Sequence, residues 1–145
     1  DYVEVAEAEG ATLETGGGRP GIEGGHFVEP TVFSRVDSDM RIAHEEVFGP
    51  VLAVLSAGDF EDAVDIANDV QYGLSASIAT RDLTEANRFI DEIDAGVAKV
   101  NEKTTGLELH VPFGGMKASS SQTYREQGDD ALHFYTTAKT VYLNY

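Results

Sequence analysis

The middle of the chain alternates between apolar runs of strand length and capped segments with helical spacing, and this constrains the fold more than any other feature. Val51-Leu52-Ala53-Val54-Leu55 is a continuous apolar run, as expected of a parallel strand covered on both faces. Gly58-Asp59 stops it, and Asp59 is placed to cap a helix whose Phe60, Val64, Ala67 and Val70 fall on one side. Asn68 to Gly73 makes the return, and Leu74 to Ala79 reads as the next strand. Asp82 and Glu85 have capping-box spacing ahead of a helix that turns Leu83, Ala86, Phe89, Ile90 and Ile93 inward. Gly96 is its expected C-terminal stop, and Val97-Ala98-Lys99-Val100 the third strand. Right-handed crossovers make the three strands parallel. The expected fold class is therefore α/β, with a parallel β-α-β-α-β sheet and no internal repeat beyond the alternation itself.

On the amino side, Tyr2 to Ala8 suits a short helix, and Ala11-Thr12-Leu13-Glu14-Thr15 alternates like a strand. Gly16-Gly17-Gly18-Arg19-Pro20-Gly21 leads into a second strand, Phe27 to Phe33, rather than into a helix N-terminus. An N-terminal hairpin is expected there, not a phosphate cradle. Pro30, inside that strand, predicts an edge position. Met40, Ile42 and Val47 suit a short irregular or helical connection. On the carboxyl side, Asn101 to His110 is a polar loop leaving the third strand, followed by Pro112-Phe113-Gly114-Gly115. The polar run Ser119-Ser120-Ser121-Gln122-Thr123 is too short for a linker between domains. Arg125 to Phe134 is expected to begin helical, with Gly128 interrupting it. In Thr136 to Tyr145, Val141, Leu143 and Tyr145 alternate with Thr140, Tyr142 and Asn144, which predicts a terminal strand in need of a partner edge.

A length of 145 residues allows one ordinary domain with a sizeable core. The longest apolar runs are strand-sized, so no transmembrane span is expected. The chain begins at Asp1 with no initiator methionine and no visible signal peptide, which hints at a truncated start; a cytoplasmic location is the expectation, one that does not follow from this end of the chain. Acids outnumber bases 26 to 10, and the formal charge of -16 disfavours nucleic acid and anionic membrane surfaces as partners. The acids are scattered rather than gathered in a tail, and an excess this large with few lysines also fits a salt-loving host. Zero cysteines exclude disulfides, thiolate metal sites and a cysteine nucleophile within these residues. His26, His44, His110 and His133 have no metal-type spacing, so no metal site is expected. Ser119 to Ser121 lacks a G-x-S-x-G elbow and reads as loop.

Glu45-Glu46-Val47-Phe48-Gly49-Pro50 stands directly before the first apolar run, and strand ends are where α/β proteins place ligands. Alone, paired glutamates before a turn equally suit a solvated helix end. An acid and base pair of glycosidase type is disfavoured, because adjacent residues on a strand point to opposite sides. The wider succession is Gly25-His26-Phe27-Val28-Glu29-Pro30-Thr31-Val32, the hexapeptide, Tyr72-Gly73-Leu74-Ser75-Ala76, Gly96-Val97-Ala98-Lys99-Val100-Asn101 and Val111-Pro112-Phe113-Gly114-Gly115-Met116-Lys117. In that order, and over nearly the whole chain, it resembles the C-terminal part of the NAD(P)-dependent aldehyde dehydrogenase superfamily.

The resemblance implies a reaction in which an upstream cysteine thiolate attacks a small aldehyde, hydride passes to NAD or NADP, and water cleaves the thioester. It assigns Glu46 to the hydroxyls of the nicotinamide ribose and Phe48 to the nicotinamide end of the cofactor, with Gly49 and Pro50 as turn residues. Asn101 and its loop match the substrate entrance, and Phe113 matches an aromatic at the tunnel, although core packing explains Phe113 equally well. Lys103 and His110 are the loop's cationic or potentially cationic groups. They suit solvated surface positions, but a substrate bearing a carboxylate needs such a group. The nucleophile, general base and cofactor-domain glycines fall outside these residues, so no catalytic residue is assigned and the chain alone is expected to be inactive. Residues 1–135 correspond to part of the catalytic domain, and 136–145 to a strand that joins protomers into a homo-oligomer.

The run from Lys117 to Gly128 departs from the commoner family pattern Lys-x-Ser-Gly-x-Gly-Arg-Glu: serine follows Ser119, and Arg125-Glu126 arrives two residues late. With His110-Val111-Pro112 and Phe134-Tyr135-Thr136, it looks like the branch that oxidises 2-oxoglutarate semialdehyde (2,5-dioxopentanoate) in sugar-acid breakdown. An alternative from another class is a non-catalytic interaction module that keeps the fold and the oligomerising strand. A free-standing ligand-binding β-α-β protein explains the periodicity but not the ordered motifs.

Overall fold

Residues 1–120 and 125–145 are described by the structure, a computed structural model; Ser121 to Thr123 of the polar run lie outside the described residues. The chain divides into two units, Asp1–Val70 and Gln71–Tyr145.

In the first unit, α1 (Tyr2–Glu9) ends at Gly10, whose φ of 109° is left-handed. The Ala11 N–H reaches Ala6 O at 2.9 Å and satisfies a terminal carbonyl. β1 (Thr12–Thr15) runs antiparallel to β2 (Thr31–Ser34), with Leu13 opposite Phe33. β2 runs parallel to β3 (Val51–Ala53), with Thr31 opposite Val51. The expected hairpin is present, but its second strand is central, in the order β1-β2-β3, rather than at an edge. Pro30 does not interrupt the ladder because the strand begins one residue after it, and the Thr31 N–H donates to Pro50 O at 2.9 Å. Phe27 and Val28 consequently lie outside the strand and are exposed.

The short helix α2 (Arg41–His44) and α3 (Phe60–Asn68) complete this unit. Asp59 caps α3, its Oδ1 accepting the Asp62 N–H at 2.9 Å. Ala6, Ala11, Phe33, Val36, Met40 and Ile42 form the core, with Leu13, Val47, Val51 and Leu55 packed against it. Phe33 is wholly buried, a transfer that contributes roughly 2–3 kcal/mol. The run expected to be covered on both faces is covered on one. Val51, Ala53 and Leu55 pack on the core, whereas Leu52 and Val54 are 57% and 45% exposed. Strand alternation puts these two on the opposite face.

In the second unit, β4 (Tyr72–Gly73) pairs antiparallel with β7 (Met116–Lys117). β5 (Ser75–Ile78) runs parallel to β6 (Val97–Val100), Ser77 facing Lys99, across the crossover helix α4 (Leu83–Glu92). The order β-α-β-α-β is present, but the described ladders divide it: β3 pairs with β2, and β5 with β6. Apolar periodicity locates strands without saying which edge each one takes.

Asp82 Oδ1 caps α4 by accepting N–H groups from Thr84 at 2.7 Å and Glu85 at 3.4 Å. Glu85 does not return the bond; its Oε2 takes the Thr80 hydroxyl at 2.6 Å, and Thr80 Oγ1 accepts the Asp82 N–H at 3.1 Å. Ala86, Phe89 and Ile93 are buried as expected, but Leu83 and Ile90 are exposed. Ile90 lies about 100° around the helix from Phe89, past the buried stripe. The helix stops before Gly96, on Ile93 in an extended conformation. Gly96 serves a different need: a Cβ there would run into Gly114 O.

Arg125 to Gly128 is not helical. Phe113 and Glu126 form an antiparallel bridge, exchanging N–H···O bonds of 2.7 and 2.8 Å. Gln127 and Gly128 both have positive φ, 71° and 54°, so α5 (Asp130–Phe134) starts only after them. Residues 136–145 are exposed and form no strand in the single chain. Among the described residues, no helix is long and apolar enough to cross a membrane.

Candidate functional site

The adjacent carboxylates of Glu45 and Glu46 have opposite surroundings. Glu45 Oε2 accepts the Tyr2 hydroxyl at 2.6 Å and Arg41 Nη2 at 2.9 Å, and its Oε1 accepts Arg41 Nε at 2.8 Å. The Arg41 guanidinium also lies 5.7 Å from the Tyr2 ring centroid, within cation–π range, and Glu9 Oε2 accepts the Arg41 N–H at 2.8 Å. Hydrogen bonds from Arg41 and then Tyr2 favour the charged form and bring the Glu45 carboxyl down to about 2. The same bond to Glu45 raises the Tyr2 phenol above its ordinary value. Arg41 and Glu45 meet because they are four apart across the end of α2. Glu46, by contrast, is exposed, and no hydrogen bond or ion pair engages it among the described residues. The backbone at Glu45 is extended, with φ -98° and ψ 144°, which turns successive side chains to opposite sides.

Phe48 stands two residues on, 91% exposed, with a left-handed φ of 50° that is uncommon for an aromatic residue. The turn after it is tied to the sheet. The Val51 N–H donates to Gly49 O at 2.8 Å, and Pro50 O accepts the Thr31 N–H. Glu46 and Phe48 both precede β3, at the amino ends of the parallel strands β2 and β3, whereas open α/β sheets generally place ligands at carboxyl ends.

In the second unit, Asn101 follows β6 with a left-handed φ of 56°. Its Oδ1 accepts the Thr80 N–H at 3.0 Å and its Nδ2 donates to Thr80 O at 2.9 Å, so its amide is engaged by backbone. The loop beyond is strapped to the sheet. Ser77 Oγ donates to Glu102 O, Ser75 Oγ to Thr104 O at 3.0 Å, and Lys99 Nζ to Thr105 O and Gly106 O at 3.1 and 2.9 Å. Ser75, Ser77 and Lys99 share one face, since Ser77 and Lys99 are register partners. Sequence reasoning missed these straps; polar residues at alternate positions of otherwise apolar strands were the available signal.

Lys103 lines an open cleft of about 480 Å³ together with Lys99, Glu102, Leu107 and Glu108. His110 is exposed, its Nδ1 3.7 Å from Glu108 Oε2, a pair that is ionic only when the imidazole is protonated. Phe113 is half-buried and held through its backbone by Glu126. Of the loop's candidate residues Lys103 lines the cleft; Asn101 is not part of its lining, and His110 lies two residues past its last lining residue. No cluster of three or more metal-ligating side chains occurs among the described residues.

A model of the aldehyde dehydrogenase family matches residues 1–141. The chain is 68% identical over 148 residues to the alpha-ketoglutarate semialdehyde dehydrogenase of Haloferax volcanii, a match spanning 100% of this chain and 31% of that protein. It is 48% identical over 143 residues to the 2,5-dioxopentanoate dehydrogenase of Saccharolobus solfataricus, covering 98% of this chain and 30% of that one. Among solved structures, a Mycobacterium tuberculosis aldehyde dehydrogenase complexed with NAD+ superposes with a TM-score of 0.88 at 41% identity, over 99% of this chain and 29% of that chain. The chain therefore spans about three tenths of the length of these relatives.

Proposed function

The chain belongs to the aldehyde dehydrogenase family, and on that premise we propose that it is the C-terminal portion of an NAD(P)-dependent dehydrogenase that oxidises 2-oxoglutarate semialdehyde to the carboxylic acid. The substrate class rests on similarity: 68% identity to the Haloferax volcanii semialdehyde enzyme against 44% to the betaine aldehyde dehydrogenase of Brucella anthropi.

The first unit fits the cofactor. A carboxylate is an acceptor with two oxygens, matched to the two hydroxyl donors of a ribose diol. One observation carries the assignment: of two adjacent glutamates, Glu46 is the one left exposed and unengaged among the described residues, beside an exposed Phe48. Glu46 holds the nicotinamide ribose, and the Phe48 ring limits where the nicotinamide sits. When bound, the cofactor supplies the hydride acceptor. The 145 residues contain no cysteine, so the thiolate that forms the thioester comes from the rest of the enzyme, and these residues alone are inactive.

In the second unit, Lys103 and His110 are the groups available to a substrate carboxylate, Asn101 anchors the loop that carries them, and Phe113 borders the substrate path. Thr136 to Tyr145 adds as a strand to a neighbouring protomer. The cofactor assignment is tested by Glu46→Gln in the full-length enzyme. Slowed hydride transfer in single-turnover kinetics is expected, and unchanged cofactor use contradicts the ribose role.

A further inference from the structure

We propose that Glu45 is a positioning residue: gripped by Tyr2 and Arg41, it fixes the extended backbone from which Glu46 is aimed at the cofactor ribose. This rests on the ribose role given to Glu46 above.

Three features of the first unit support it. The grip is multiple and comes from two helices. Tyr2 on α1, 43 residues earlier in the chain, supplies one hydrogen bond, and Arg41 on α2 supplies two. Arg41 is itself fixed through its backbone N–H by Glu9, near the end of α1. Glu45 is the residue at which α2 ends and the backbone turns extended. An anchor on the side chain at that point sets the direction of the next residue, because consecutive side chains of an extended backbone diverge. Finally, the pairing with Arg41 offsets the negative charge of Glu45, so the neighbouring carboxylate is not opposed by an uncompensated like charge.

A clamp that only joined α1 to α2 would stabilise the fold without coupling to the cofactor. The two roles separate in a double-mutant cycle on the full-length protein, with the NAD+ dissociation constant read by quenching of intrinsic fluorescence and melting temperature followed in parallel. The variants are Glu45→Gln, Glu46→Gln and their combination, with Tyr2→Phe as a milder form that keeps the Arg41–Glu45 pair. The proposal expects Glu45→Gln to weaken NAD+ binding by about three- to tenfold, Tyr2→Phe to weaken it in the same direction, and neither to weaken it further once Glu46 is Gln. Full additivity in the double variant, or unchanged affinity in Glu45→Gln and Tyr2→Phe while Glu46→Gln binds weakly, overturns the positioning role alone. Unchanged affinity in Glu46→Gln overturns the ribose reading, and the positioning role with it. If Glu45→Gln does not fold, Tyr2→Phe alone and combined with Glu46→Gln decides the question by the same criterion.

Discussion

Asn101 grips the backbone of Thr80 with both ends of its side-chain amide, Oδ1 accepting the N–H at 3.0 Å and Nδ2 donating to the carbonyl at 2.9 Å. The two residues lie 21 apart in sequence, one just after β5 and the other just after β6, so the pair ties the ends of the two parallel strands together. The amide copies the donor and acceptor of a peptide group and so continues the ladder past its last backbone pair.

Replacing Asn101 by Ala removes both bonds and leaves a Cβ at a left-handed φ, a loss expected to cost about 1–2 kcal/mol. Asn101→Asp keeps the bond to the Thr80 N–H but sets two acceptors against each other at Thr80 O, and is expected to destabilise as well. Urea unfolding of the full-length protein checks both; unchanged midpoints contradict a structural grip.

Gly96 and Gly21 make a matched comparison. A Cβ on Gly96 meets Gly114 O, whereas one on Gly21 has nothing within 4 Å. Gly96→Ala is therefore expected to lower stability by about 2 kcal/mol or more. Gly21→Ala is expected to be neutral or to stabilise by up to about 1 kcal/mol through the unfolded chain. Denaturant midpoints distinguish the two, and equal effects would contradict the close approach.

Helix capping gives a third test. Asp59 accepts the Asp62 N–H, and Asp59→Ala is expected to cost about 1 kcal/mol, read from the same unfolding curves.

The pH dependence follows from Glu45, whose folded carboxyl lies near 2 against an ordinary 4.5. A depressed acid stabilises above its unfolded value and loses that contribution as pH falls through its folded value. The stability gap between the wild type and Glu45→Gln should be constant from pH 7 to about 5, narrow below about 4.5 and close near 2. Asp82, lowered by the Thr84 and Glu85 backbone N–H groups, acts in the same direction. A gap that widens with acid contradicts the assigned bonds.

The exposed tail carries Val141 and Leu143. Replacing both with Asp is expected to yield smaller assemblies by light scattering, since charge on a pairing strand disfavours the ladder between chains. An unchanged mass contradicts the tail model.

Local relationships were legible in the sequence. Asp59 and Asp82 cap helices because a carboxylate reaches N–H groups two or three residues ahead wherever the chain leads. The parallel pairing of β5 and β6 followed from apolar spacing combined with the crossover through α4. Features requiring partners outside the element itself were not legible. Thr80 interrupts the expected Asp82–Glu85 box through a hydroxyl outside the helix. Ser75, Ser77 and Lys99 strap a loop that is placed only once β5 and β6 are in register. The inward positions given to Leu83 and Ile90, and the two covered faces given to β3, assumed neighbours on every side of each element. The site showed the same division. The resemblance gave the ribose role to Glu46 and not to Glu45, but the tether from Tyr2, on another helix, and Arg41 that holds Glu45 while Glu46 stays exposed was not legible.

Membership of a dehydrogenase for 2-oxoglutarate semialdehyde, the function proposed for these residues, is open to direct test. The most direct measurement is steady-state formation of reduced cofactor by the purified full-length protein, comparing that semialdehyde with betaine aldehyde, each with NAD+ and NADP+. A kcat/KM for the semialdehyde well above that for betaine aldehyde is expected, with 2-oxoglutarate as product. A preference for betaine aldehyde would contradict the substrate assignment, and no cofactor reduction with any aldehyde would contradict the enzyme itself.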